Sequence, residues 1–239
     1  MNASGYDTYR DWKEWNARPF GICPKGLAVY FSEELRQSGV DSVRAKTVLE
    51  IGFGNGEFAA WARDSGADYL GTELLDDLVA TGGASGLETH RGQLPLEQLR
   101  GEQAIDLIVA FDVFEHLDLE TLRAMLRSAH RALRPSGRLI VRVPSGDSPF
   151  SGAIQHGDCT HRITIGSSMI GQLANEARFM VHQVRQPAFP LKGLGIRVFL
   201  RRAIVAGLQA SAFPVIRRAF MGGGTPVLTP DMVCVLVKP

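Results

Sequence analysis

The segment His156-Gly157-Asp158-Cys159-Thr160-His161-Arg162 gathers side chains that can hold and move protons. An imidazole three positions after a carboxylate makes His161 a general base or a substrate-orienting residue, with Asp158 setting its tautomer. The plainer alternative is that the pair pins the loop and buttresses a neighbouring pocket. His156, Asp158, Cys159 and His161 are also metal-ligand types. A cluster so local, with no patterned distant ligand, predicts no metal. His116, just beyond the apolar run Leu107–Phe111, is a second candidate base. Its alternative is a pocket-lining residue at a helix start.

A different chemistry is written in Val48-Leu49-Glu50-Ile51-Gly52-Phe53-Gly54-Asn55-Gly56-Glu57-Phe58. An apolar run ends in an acid, Gly52, Gly54 and Gly56 alternate, and a helical pattern begins. Glycine alone allows such dihedrals and such close approach, so this strand–loop–helix predicts a nucleotide-like cofactor. A dinucleotide loop would need its third glycine at position 57, which is Glu57, and the Gly-Lys-Ser/Thr of a Walker loop is missing. A pyrophosphate would face Glu50 and Glu57 with no nearby Lys or Arg. A cofactor carrying an ammonium and a sulfonium suits that acidic surround better. Asp112 reads as an acid on the cofactor side rather than a proton acceptor.

The elements that must position these residues alternate. Strands are predicted at Thr47–Ile51, Tyr69–Glu73, Glu88–Arg91, Ala104–Phe111 and Gly137–Val143, with helices at Gly56–Ser65, Asp76–Ala84 and Leu119–Leu133 between them. A helix near Ser167–Ala177, a strand near Arg178–Gln186 and a buried final strand at Met232–Val237 follow. That rhythm predicts an α/β, doubly wound, mostly parallel sheet in residues 46–239. Residues 1–45 read as an N-terminal cap with a helix over Lys25–Gln37, and Tyr6, Tyr9, Trp12 and Trp15 either pack it or form a lid over the acceptor pocket.

Residues 187–230 break the alternation and carry a charge anomaly. No acid occurs between Glu176 and Asp231, while Arg178, Arg185, Lys192, Arg197, Arg201, Arg202, Arg217 and Arg218 give the stretch a charge of +8. The whole chain carries +1, so the remainder carries −7. Ile196, Phe199, Leu200, Ala203, Ile204, Gly207 and Leu208 have helical spacing, and Pro214 is predicted to start a second short helix. The segment reads as facing an anionic acceptor or resting on an anionic membrane through 192–218, or as a helical insert completing the core or a dimer interface. No nucleic-acid-binding module is evident, and no apolar run approaches the roughly 20 residues of a membrane span. The scattered cysteines Cys23, Cys159 and Cys234 and the polar start predict a cytoplasmic protein, with peripheral contact to the inner membrane face as the extension.

Glu50-x-Gly52-x-Gly54-x-Gly56 resembles the glycine-rich motif of class I S-adenosylmethionine-dependent methyltransferases. Glu73, ending the second strand, stands where that family's acid accepts from the ribose hydroxyls. Asp112-Val113-Phe114-Glu115-His116-Leu117 is similar to its D-x-x-E-H-[LIV] turn, and Leu133-Arg134-Pro135-Ser136-Gly137 to its L-(K/R)-P-G-G turn, with Ser136 replacing a glycine. Gln93 falls at a usually acidic position, where its amide oxygen would accept from the adenine amino group. Asp158-x-Thr160-His161 resembles a D-x-T-H segment of methyltransferases from surface-polysaccharide and natural-product clusters. The resemblance covers residues 46–180. It implies a Rossmann-like seven-stranded sheet whose last strand is antiparallel, with a helical insert before it. It also implies methyl transfer from S-adenosyl-L-methionine, held by Glu50, Gly52, Gly54, Gly56, Glu73, Gln93 and Asp112, to a small-molecule or glycolipid acceptor, by preference at oxygen. N- or C-methylation of another metabolite and a non-catalytic cofactor-binding regulator stay open.

Overall fold

The computed structural model describes residue 13 and residues 19–92, 95–222 and 225–239. Gln93 and the aromatic residues Tyr6, Tyr9, Trp12 and Trp15 lie outside the described residues. The elements run α1 (Lys25–Gln37), β1 (Thr47–Ile51), α2 (Glu57–Asp64), β2 (Asp68–Glu73), α3 (Asp76–Ala84), β3 (Glu88–Arg91), α4 (Glu97–Arg100) and β4 (Ile105–Phe111). A short 3-10 turn (Phe114–His116) leads into α5 (Leu119–Ala132), β5 (Leu133–Pro144), α6 (Gly152–Gln155), α7 (Ser167–Glu176), β6 (Met180–Arg185), α8 (Ile196–Phe220) and β7 (Asp231–Val237).

The strands form one seven-stranded sheet in the order β3-β2-β1-β4-β5-β7-β6. β1 through β5 are mutually parallel, and β7 runs antiparallel to both of its neighbours. Alternation along each strand splits the core into two layers. Leu49, Ile51, Ile108, Ala110, Leu139 and Val141 pack on one face. Val48, Leu107, Val109, Ile140, Val233 and Val235 pack on the other. Helix α5 shows why the faces close: Leu122, Met125, Leu126, Ala129 and Ala132 recur at helical spacing and are buried. Its start is fixed by Asp118, whose side chain accepts from the Thr121 amide.

Strand order reverses between β1 and β4, both of which continue into loops at their carboxyl ends. That reversal point is where an open α/β sheet leaves a crevice. The cap helix α1 is tied down from far along the chain. Buried Glu34 pairs with Arg185 and accepts from the Ala188 amide at 2.7 Å, and Arg185 also reaches Ser38 Oγ at 2.8 Å.

Two local expectations are corrected. β5 begins at Leu133 rather than Gly137, because Leu133 already pairs with Ile105 before the register shifts. Ser136 there takes the left-handed conformation, φ 64, at the position of the motif's glycine. Pro214 does not start a helix; it lies inside a single helix of 25 residues, α8. A proline removes one amide donor and crowds one carbonyl, and on an exposed helix water can take up that carbonyl.

Candidate active site

A cavity of about 510 Å³ opens at the strand-order reversal. Its floor is the loop after β1 with Glu50, Gly52, Gly54 and Glu57, and Glu73 and Gly92 close one side. Asp112, Val113 and His116 from the loop after β4 form another wall, with Leu27 and Phe31 of α1 above. The sequence-predicted residues Glu50, Gly52, Gly54, Glu73, Asp112 and His116 therefore meet around one space. Gly56 lies just behind the loop, at the start of α2. His161 and Asp158 do not line the cavity.

The glycines are required by shape. Gly52 has φ 72, and a Cβ there would sit 2.6 Å from Val113 Cγ2; at Gly56, φ 77, it would sit 2.9 Å from the Phe20 ring. Bare backbone thus passes beneath the cavity. Glu73 braces the same loop: Oε2 accepts from the Gly54 amide at 3.0 Å and Oε1 from the Leu74 amide at 2.6 Å. Ionised carboxylate oxygens keep lone pairs beyond these, enough to accept from a diol. Burial raises the Glu73 pKa against the pull of these amides.

Glu50 accepts a 2.7 Å hydrogen bond from the Tyr69 hydroxyl. Burial pushes its pKa up to about 8, the Tyr69 bond opposes that, and the negative Glu57 and Glu73 add to the rise. A cation arriving beside Glu50 would reverse that balance. A glycine cradle, an acid awaiting a cation and a second acid with spare acceptors fit the methionine and ribose parts of S-adenosylmethionine.

The opposite side of the cavity holds a hydrogen-bonded chain that the sequence does not reveal. Asp158 Oδ1 accepts from the Thr160 hydroxyl at 2.5 Å and from its amide at 2.9 Å. The hydroxyl proton being spent on the carboxylate, Thr160 Oγ1 accepts from His116 Nδ1, 2.9 Å away. That fixes the proton of the neutral His116 ring on Nδ1 and leaves Nε2 the basic nitrogen. Burial lowers the His116 pKa to about 4, with the His161 ring acting in the same sense. Burial raises the Asp158 pKa, but the two Thr160 hydrogen bonds outweigh it and hold the carboxyl below its usual range.

His161 stands behind His116, ring edge to face at 4.7 Å. Its Nδ1 donates to the Gln155 carbonyl at 3.0 Å. Its Nε2 lies 3.8 Å from Asp158 Oδ2 and 3.9 Å from Glu115 Oε1, beyond hydrogen-bond reach. The expectation that Asp158 sets the His161 tautomer is thereby corrected: a backbone carbonyl sets it, and Asp158 serves His116 through Thr160. Burial, then the negative charge of Asp112, raises the Glu115 pKa well above the carboxylate range. Glu115, His116 and His161 offer ligand-type atoms within 4.8 Å of one another, whereas His156 and Cys159 are exposed and outside that group.

Arg142 is a cavity residue that sequence reasoning missed. It makes a two-pronged ion pair with Asp112, at 2.8 and 2.5 Å, reaches the Tyr30 hydroxyl at 3.1 Å and lies over the Tyr30 and Phe111 rings. The signal was an arginine within the apolar run Leu139–Val143, in register with Phe111. Asp112, itself at φ 59, is thus neutralised on the cavity wall.

This sheet order, with a glycine cradle beneath a crevice at the reversal, defines a Rossmann-like class I methyltransferase domain. A methyltransferase-domain family model matches residues 25–190. The chain belongs to that methyltransferase family, whose methyl donor is S-adenosylmethionine. Among solved structures it is similar to an S-adenosylmethionine-dependent methyltransferase from Archaeoglobus fulgidus, at 16% identity and TM-score 0.62, covering 90% of this chain and 95% of that one. A Mesorhizobium loti S-adenosylmethionine-dependent methyltransferase matches at 15% identity and TM-score 0.57, over 85% and 95% of the two chains. The 1,6-didemethyltoxoflavin-N1-methyltransferase of Burkholderia thailandensis, solved with its substrate and S-adenosylhomocysteine, matches at 16% identity and TM-score 0.54, over 97% and 84%. A search of curated proteins returns no match.

Proposed function

We propose that this methyltransferase acts on a hydroxyl oxygen of a small or lipid-linked acceptor, sugar-like or anionic, in the cytoplasm or at the inner membrane face, with His116 as the proton acceptor. The reading rests on one observation: His116 is on the cavity wall, and the Asp158–Thr160 pair holds its proton on Nδ1. Bound S-adenosylmethionine supplies a methyl group already activated by its sulfonium. Gly52, Gly54 and Gly56 let it approach the backbone, Glu50 receives its ammonium and Glu73 its ribose hydroxyls. Leu27 and Phe31 exclude water from above.

His116 Nε2 takes the acceptor's hydroxyl proton, and the positive ring is then offset by ionised Asp158 through the Thr160 hydroxyl. Glu115 and His161 buttress that ring from behind. The acid-free stretch after Glu176 favours an anionic acceptor.

His116→Ala should lower kcat on the order of 100-fold or more while cofactor affinity, measured by calorimetry, stays within a few-fold. Thr160→Val should lower kcat less and shift the acid limb of the pH–rate profile. Normal turnover by the His116 variant would remove the proton-acceptor role.

A further inference from the structure

Helix α8 is apolar on both sides: Phe199, Val205, Phe213 and Ile216 are half-buried toward the protein, and a second apolar side faces outward. Ile196, Leu200, Ile204, Leu208, Val215 and Phe220 are 54–83% exposed, and no residue of the helix is buried. Four of them fall at i, i+4, i+8 and i+12, and Val215 lies on the same side at 100° per residue. The helix of 25 residues is about 37 Å long at 1.5 Å per residue, and the ridge from Ile196 to Val215 takes up about 29 Å of it. Exposed Arg197 and Arg218 stand near its two ends, Arg201 along one edge, and Lys192 just before it.

The other side of the helix faces the protein. Arg202 Nη1 donates to the Pro190 carbonyl at 2.5 Å and its guanidinium lies over the Phe189 ring, while Arg217 donates twice to the Pro226 carbonyl at 3.2 and 3.0 Å. These contacts seat α8 with its ridge facing away. The expectation that no segment approaches membrane-spanning length is corrected: because Pro214 does not end the helix, α8 is long and apolar enough to cross a membrane, and no part of it is buried. Spanning is nevertheless ruled out by its connections. β6 and β7, on either side of α8 in sequence, are paired neighbours in one sheet, and Arg217 ties the helix end back to residue 226.

We propose that α8 lies flat in the headgroup layer of an anionic bilayer and holds the domain there. Ile196, Leu200, Ile204, Leu208 and Val215 enter the acyl boundary, and the guanidinium groups of Arg197, Arg201 and Arg218 reach up on their alkyl stems to phosphate or carboxylate headgroups. Charge complementarity selects this occupant: from residue 177 to 230 the chain offers cations and no anion, and exposed arginines flank the ridge near both ends. The helix that roofs the cavity also touches the segment that precedes α8. Helix α1 roofs the cavity with Leu27 and Phe31, and elsewhere on its surface it forms a groove with Phe189–Lys192, where Val29 packs 3.2 Å from the Cβ direction of Gly193. A lipid-linked acceptor would meet the protein beside that roof.

The test is flotation of the full chain with vesicles of phosphatidylcholine alone or containing about one-third phosphatidylglycerol. The wild-type protein is expected to float with the anionic vesicles, less so at high salt, and to stay behind with the neutral ones. R197E/R201E/R218E should cut partitioning on the order of 100-fold, at roughly fivefold per basic residue lost. I204Q/L208Q should cut it at least about tenfold. S-adenosylmethionine binding by calorimetry should be unchanged in both, since none of these residues lines the cavity. Wild-type protein that stays behind with anionic vesicles, or either variant floating like wild type, overturns the proposal. So does a lipid-free dimer, seen by light scattering, that I204Q/L208Q dissociates. Failure of the wild type to bind cofactor would count against the proposed activity and leave the membrane result standing.

Discussion

The loop after β1 and helix α8 are opposite solutions to the use of a polypeptide. In the loop, the backbone is fixed by its neighbours: Gly52 and Gly56 hold positive φ where a methyl group would strike Val113 or Phe20, and the Gly54 amide donates to Glu73. In α8 nothing is buried, and Gly207 has no atom within 4 Å of where a Cβ would go. A site that holds a small molecule fixes each residue by its neighbours. A surface that meets a fluid layer fixes only composition and charge.

Paired substitutions sharpen that contrast. Gly52→Val should have the largest effect, weakening cofactor binding on the order of 100-fold, because it both strains the backbone and fills the cradle. Calorimetry checks it, and near-normal affinity would break the cradle argument. Glu73→Gln should weaken binding about tenfold: an amide keeps one acceptor oxygen but sets a donor against the Gly54 or Leu74 amide.

The Glu50 carboxyl gives a pH signature of similar size. With a pKa raised to about 8 it is mostly protonated at neutral pH, and a bound ammonium favours its ionised form. Binding should therefore release a proton, and each pH unit below about 8 should weaken affinity up to tenfold. Calorimetry in buffers of different ionisation heat measures the proton, and Glu50→Gln should abolish its release. The smallest effect belongs to α8. Gly207→Ala should leave cofactor binding alone and stabilise the protein by up to about 1 kcal/mol in a denaturant titration, the opposite sign to Gly52. A destabilised protein would mean that α8 is more tightly packed than its exposure indicates.

The same contrast explains what could be read from the sequence. The first strand was legible because its apolar run ends at the glycine motif, and Thr47–Ile51 has the predicted bounds; the polar Glu88–Arg91 was legible from its place in the strand–helix alternation. Glu50, Glu73 and Asp112 were legible because local turns force them to the crevice. The proton chain was not. Asp158 and His161 are close in sequence, yet a turn does not dictate which ring meets the carboxylate, and the partner of Thr160 is 44 residues away. Arg142 was hidden because its partners, Asp112 and Tyr30, lie 30 and 112 residues distant. Helix α8 was misread at Pro214, because a proline is favoured in the first turn of a helix, whereas here one sits within a longer helix.

The position of β7 has a consequence for how this protein could change. β7 follows α8 in the chain yet lies between β5 and β6, so the sheet cannot zip shut until the chain has made its excursion and come back. The entropic toll of such a detour grows slowly, about 0.6 kcal/mol for each doubling of its length. Helix α8, which buries no residue, can thus be lengthened, shortened or exchanged at small thermodynamic cost while the strands at the glycine loop stay as they are. The cofactor-binding sheet and the exposed helix are separate parts, free to be inherited separately.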